Sequence, residues 1–316
     1  MIDQFEGEKN IGFVDIPDEL QRDPIAAMEF AKCPKQYDLV PLMMTGSGRA
    51  VPDQMAVVDH DGHYLGVVGR GTTILQPDVL AGMAKELIDH SAARLEKIIK
   101  LHDGATIGLT FHLHTIEPIP GDATHMNFLL LNNATNRLAL QGRSMGHRVF
   151  CSNQIATSTK LFSLKHTKFV SDRVKTALLM LKYYDREVQT FQTNLRKLVA
   201  FRHGTVKNQL EWFERTLLPE PREDDTPLTL ARRNNILTIF VELLENGQGV
   251  EYLGSARGTG WHTLNALTEY VNHHRTTRVT QGRSEADVRW QSVTLGTGDK
   301  LMQRGFKSLL QLAQAA

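Results

Sequence analysis

The hydrophobic period of this chain changes once, near Ser171, and that change limits the fold more than any other feature. Upstream, apolar residues come in short runs of strand length. Residues 54–58 are apolar and β-branched, Asp59-His60-Asp61-Gly62 makes a turn, and residues 64–68 return, which predicts a hairpin. Residues 72–75 are expected to extend that sheet. Residues 106–115 alternate, with Ile107, Leu109, Phe111 and Leu113 facing one way and His112 and His114 the other. Residues 126–131, 138–140 and 148–151 are further short apolar runs. One helix interrupts them: Pro77 opens it, and Val79, Leu80, Met83, Leu87 and Ile88 recur at helical spacing. The pattern leaves open whether it continues through Leu95, Ile98 and Ile99 to His102 or breaks near Ser91. Downstream, Val174, Ala177, Leu178, Leu181, Val188, Phe191, Leu195 and Leu198 predict one long helix capped by Ser171. More helices are expected over 206–217, 228–244, 263–274 and 299–313.

The fold class that follows is α+β: a small antiparallel β-sheet with a packed helix, then a mostly helical C-terminal half. At 316 residues the chain is long enough for more than one domain. The expected division is an acidic N-terminal arm at 1–40, an α+β core at 41–170 and a helical domain at 171–316.

A net charge of +1 hides a segregation. Residues 1–30 carry eight acids against two bases, net −6, and residues 137–186 carry ten bases against two acids, net +8. Residues 216–251 turn acidic again through Glu220, Glu223, Asp224, Asp225, Glu242, Glu245 and Glu251. A block of like charge is costly unless something negative lies beside it. The partner is either the acidic segments of this chain or its copies, or a phosphate backbone that releases counterions on binding.

Several chemistries lack their residues. Gly254-Ser255-Ala256-Arg257-Gly258-Thr259-Gly260 is glycine-rich but has no Lys-Ser/Thr after its last glycine, so it is not an ATP-binding P-loop. There is no G-x-S-x-G, H-E-x-x-H or C-x-x-C. Two cysteines, Cys33 and Cys151, make no disulfide framework and fit a reducing, cytoplasmic setting. The first residues show neither the basic nor the apolar region of a secretory leader, and no apolar run approaches membrane-spanning length, so no membrane partner is expected.

The basic block mixes cations with aromatic and hydroxyl groups. Arg143, Arg148, Lys160, Lys165, Lys168, Arg173 and Lys175 are placed to follow phosphates, with Phe150 and Phe162 available to stack on bases at roughly 1–3 kcal/mol each. The structural alternative places the phenylalanines in the core and leaves only the charges wet.

Residues 258–275, running Gly-Thr-Gly-Trp-His-Thr-Leu-Asn-Ala-Leu-Thr-Glu-Tyr-Val-Asn-His-His-Arg, resemble the signature of the phage/plasmid-like proteins that carry a domain of unknown function. So do Arg148-Val149-Phe150-Cys151-Ser152-Asn153-Gln154 and Trp290-Gln291-Ser292-Val293-Thr294-Leu295-Gly296-Thr297-Gly298-Asp299-Lys300. That resemblance implies mobile elements, some of which enter cells as single strands, and brings no catalytic residues. The order of a hairpin, a further strand and a long helix is similar to the core of single-strand annealing proteins of the Rad and RecT/Red-beta type. That similarity implies ATP-independent work as a ring or filament.

The expectation is therefore a single-stranded DNA-binding and annealing protein, not an enzyme, that needs no cofactor. Its expected partners are single-stranded DNA, further copies of itself as a homo-oligomer, and a host single-strand-binding protein. One alternative is a metal-dependent nuclease with Asp59, Asp61, His112 and His114 as ligands. Another is a protein-binding antagonist of a host defence or repair factor, whose acidic arm and loop at 220–225 mimic DNA charge.

Overall fold

A computed structural model describes residues 12–148, 154–167, 173, 184–279 and 284–316. Nine strands among these residues build two antiparallel sheets. The large sheet runs in the order β1 (Gly12–Asp15), β5 (Arg94–Leu101), β6 (Thr106–Ile119), β7 (Asp122–Asn133), β8 (Leu140–Arg148) and β9 (Gln154–Leu164). The small sheet is β2 (Tyr37–Met43), β3 (Ala50–Asp59) and β4 (Tyr64–Gly69). The architecture is α+β, with antiparallel sheets and a helical C-terminal half.

Both faces of the large sheet are covered, which is why Phe128 to Leu131 read as one unbroken apolar run. On one face Leu95, Ile98, Ile107, Leu109, Phe111, Phe128 and Leu130 share the main core with helices α1 (Pro24–Phe30), α2 (Pro77–Asp89) and α3 (Tyr184–Ala200). On the other, Ile99, Leu101, Leu129, Leu131 and Met145 form a smaller cluster with Phe13, Leu138, Trp290 and Leu295. Gly142 sits where two rings cross the sheet. A Cβ there would lie 2.3 Å from the Phe162 ring and 2.8 Å from Phe128.

The helical half continues with α4 (Val206–Leu217), α5 (Pro227–Asn246), α6 (Gly260–Glu269), α7 (Glu285–Leu295) and α8 (Thr297–Ala315). Four of these five starts are written in hydroxyls: Thr205, Thr226, Thr259 and Ser284 each cap with a side-chain oxygen. Residues Tyr270–His274 extend α6 as one π-helical turn. Phe213 of α4 stacks on Phe240 of α5 with ring centroids 3.8 Å apart. Among the described residues, no helix is long and apolar enough to cross a membrane.

Several expectations are corrected. The arm boundary at residue 40 falls inside the fold: β1 pairs with β5, and Ile16, Ala27, Met28, Cys33 and Tyr37 belong to the main core. The helix opened by Pro77 ends at Asp89, and Leu95, Ile98 and Ile99 lie on a strand, where β-branched residues pack well. Residues 72–75 form no strand. Strand β9 and helix α7 are additions to the sequence-based expectation. The start of the long helix, with its Ser171 cap, lies outside the described residues. His112 and His114 do not share a face. The β6–β7 register shifts between them, so one extra residue reverses the alternation. His112 then meets His125 at 4.6 Å between ring centroids, while His114 stacks on Tyr184 of α3.

Candidate nucleic-acid interface

The basic block does not form one open surface. Arg148 is fully buried in an ion pair with Asp122, which is also fully buried. Its Nη2 donates to the Gly249 carbonyl at 3.1 Å, and its guanidinium lies 6.0 Å from the Trp261 ring. The second Asp122 oxygen accepts the Trp261 indole N–H at 3.0 Å. Gly249 holds φ at +75°, and a Cβ there would approach Arg148 Nη1 to 2.8 Å. Arg148 therefore ties β8, β7, α6 and the loop after α5 together.

Arg143 is likewise buried, with Nη2 donating to Asp299 at 2.7 Å. Burial pulls its pKa down and Asp299 opposes that pull. Neither arginine reaches the surface, so neither meets phosphates as expected: each is neutralised by a carboxylate of this chain. Phe162 is a core residue, packed 6.5 Å from the Phe128 ring. Lys160, Lys165 and Arg173 are exposed, the first two on or beside the edge strand β9. Phe150, Lys168 and Lys175 lie outside the described residues.

The ligand set of the nuclease reading is not brought together either. Asp59, Asp61 and His63 offer ligand atoms within 4.8 Å of one another, the one such trio of His, Cys, Asp or Glu among the described residues, and His112 and His114 do not join it. Asp59 Oδ1 accepts the backbone N–H groups of Asp61 at 3.0 Å and His63 at 2.8 Å, the work of a turn-forming aspartate. His262 is another structural group. Its Nδ1 accepts the Gly258 N–H at 3.1 Å, so its Nε2 carries the proton donated to the Leu244 carbonyl at 2.8 Å. Cys33 is buried, which pushes its thiol up to about 11 and leaves it protonated and unreactive.

Exposed cations are spread along the described residues, and one row of them lines up on a single helix face near the C-terminus. Thr297, Lys300, Arg304, Lys307 and Gln311 are all on α8, and Lys300, Arg304, Lys307 and Gln311 form its wet face. At 100° per residue they fall within a stripe about 80° wide, and Lys300 to Lys307 spans roughly 10 Å. Lys300, Arg304 and Lys307 border a groove between α8 and Thr216 of α4, and no carboxylate among the described residues pairs with them. At the N-terminal end of the stripe, Arg275 Nη1 donates to Thr297 Oγ1 at 3.0 Å. Beyond it opens a cavity of about 470 Å³ that Arg137, Arg275 and Arg278 also line. Sequence reasoning missed α8 as a surface. The i, i+4, i+7 spacing of Lys300, Arg304 and Lys307 was the legible signal, diluted by acidic and apolar neighbours on the other faces.

No curated protein and no solved structure matches the chain. A family model does, described as a domain of unknown function (DUF932), over residues 64–293, from the start of β4 to the last turns of α7. That is well over half of the chain, and the chain belongs to the DUF932 family.

Proposed function

We infer that this protein binds single-stranded DNA on its exposed cationic stripe and anneals complementary strands without ATP, as a homo-oligomer of phage or plasmid origin. The observation that carries the reading is the row of Lys300, Arg304 and Lys307, open along one helix face and paired with no carboxylate among the described residues. Lys160 on β9 and Lys165 just after it add charge at the last strand of the large sheet among the described residues. The single-strand preference and the mobile-element origin rest on the resemblance of residues 258–275 and 290–300 to phage/plasmid-like proteins. Neutralising the phosphates lets two strands approach, and base pairing then supplies the driving force. No nucleotide hydrolysis is needed. The glycine-rich run instead folds as a 3₁₀ turn leading to the Thr259 cap of α6.

Fluorescence anisotropy with a labelled oligonucleotide at graded salt tests the binding, and strand pairing read by energy transfer tests the annealing. The combined variant Lys300→Glu, Arg304→Glu, Lys307→Glu is expected to lower the salt slope by about 0.7 for each phosphate it no longer neutralises. Salt-independent affinity, or unchanged affinity in that variant, overturns the interface. Binding without faster strand pairing overturns the annealing step alone.

A further inference from the structure

We propose that the cavity bounded by Arg137, Arg275 and Arg278 is a binding site for a phosphomonoester. The cavity, about 470 Å³, sits at the end of β5, β6 and β7 beneath α7. That volume suits a nucleotide-sized ligand. Three arginines line it, and among the described residues none of the three is ion-paired. Three like charges around one hollow repel unless an anion joins them. A phosphomonoester brings about 1.5–2 negative charges and three acceptor oxygens, against one charge for an internal phosphodiester. Guanidinium forks match those oxygens in pairs.

The backbone is anchored at Arg137 and Arg275. The Arg137 backbone N–H donates to Asn133 Oδ1 at 2.9 Å, just after Asn136 turns the chain at a φ of +57°. Arg275 closes the π-helical turn, with its N–H on the Tyr270 carbonyl at 2.8 Å and its own carbonyl accepting Arg289 Nη1 at 3.2 Å. Such turns are frequent at functional sites. Between Arg275 and Arg278, the Thr277 hydroxyl is buried and has no hydrogen-bond partner. An unsatisfied buried hydroxyl beside three cations is a donor waiting for an acceptor.

The phosphate has two sources, a free mononucleotide or the 5′ end of a DNA strand. Titration calorimetry with thymidine 5′-monophosphate, thymidine, and a short oligonucleotide with and without a 5′-phosphate separates them. Thymidine 5′-monophosphate is expected to bind at least about tenfold more tightly than thymidine, as charge-assisted bonds require. Arg137→Gln and Arg278→Gln are each expected to weaken that binding about fivefold or more. Competition by inorganic pyrophosphate on the unmodified protein gives a readout that needs no variant. A 5′-phosphate that adds affinity to the oligonucleotide assigns the site to strand ends; an effect confined to the mononucleotide assigns it to free nucleotide. Equal binding of thymidine and its monophosphate, or variants that bind like the parent, overturns the proposal. The strand-binding reading is judged separately, by the response to charge reversal on α8.

Discussion

Asp122 accepts the indole N–H of Trp261 at 3.0 Å while its other oxygen holds Arg148, so one carboxylate joins the sheet to the helical half. All three groups are fully buried or nearly so. Breaking a buried pair by removing one partner leaves an uncompensated charge, which costs about 3–5 kcal/mol. Arg148→Ala and Asp122→Ala are each expected to lose that much in urea unfolding. If Arg148→Ala keeps its stability and loses only DNA affinity, the placement of Arg148 inside the protein is wrong.

Arg143 and Asp299 repeat the device on the opposite face of the sheet, fixing the first turn of α8. A double-mutant cycle with Arg143→Met and Asp299→Leu is expected to show a coupling of about 1–3 kcal/mol, with the double variant more stable than either single one. Additive losses would mean that the pair contributes nothing.

Gly142 predicts a packing limit. Gly142→Ala puts a methyl group 2.3 Å from the Phe162 ring and 2.8 Å from Phe128. The cost of overfilling such a site is about 1–3 kcal/mol, and Phe162→Leu in the same chain is expected to recover part of it. Thermal unfolding of the three variants checks this. If Phe162 were a base-stacking residue on the surface, Phe162→Leu would recover none of the loss.

The parts legible in the sequence are those where local pattern and tertiary packing agree. The 206–217 helix and the hairpin around Asp59-Gly62 follow from spacing, caps and turn residues, and both stand in the fold. Helix α7 was hidden because its apolar positions, Val288, Trp290, Val293 and Leu295, lack a clean helical stripe; only its Ser284 cap onto Asp287 was local. His112 and His114 misled because alternation assumes an uninterrupted strand, and a bulge leaves no mark in composition. The charge block misled for a different reason. A sequence counts Arg143 and Arg148 as free cations, while their partners Asp299 and Asp122 lie 156 and 26 residues away. Charge balance over long range is a tertiary property.

Histidine burial sets a pH limit on the fold. Burial holds His147 near 4, reinforced by His125, Lys97 and His273, and burial alone holds His203 near 4, against an ordinary value of 6.5. His125, His166, His262 and His273 are lowered too, each first by burial. For His262 the geometry gives the reason as well: a proton on Nδ1 would face the Gly258 N–H that now donates to it. The sign follows from linkage. Above pH 6.5 these rings are neutral in both folded and unfolded chains, and their contribution is complete. As pH falls from 6.5 toward 4, the unfolded chain takes up protons that the folded one refuses, and stability drops by up to about 1.4 kcal/mol per pH unit for each such histidine. Melting temperature is therefore expected to be flat between pH 7 and 8 and to fall steeply below about 6.5. In His262→Gln, whose amide can offer one donor and one acceptor, that fall is expected to be shallower. A melting curve that holds level from pH 7 to 5 would mean that these rings are solvated in the folded protein.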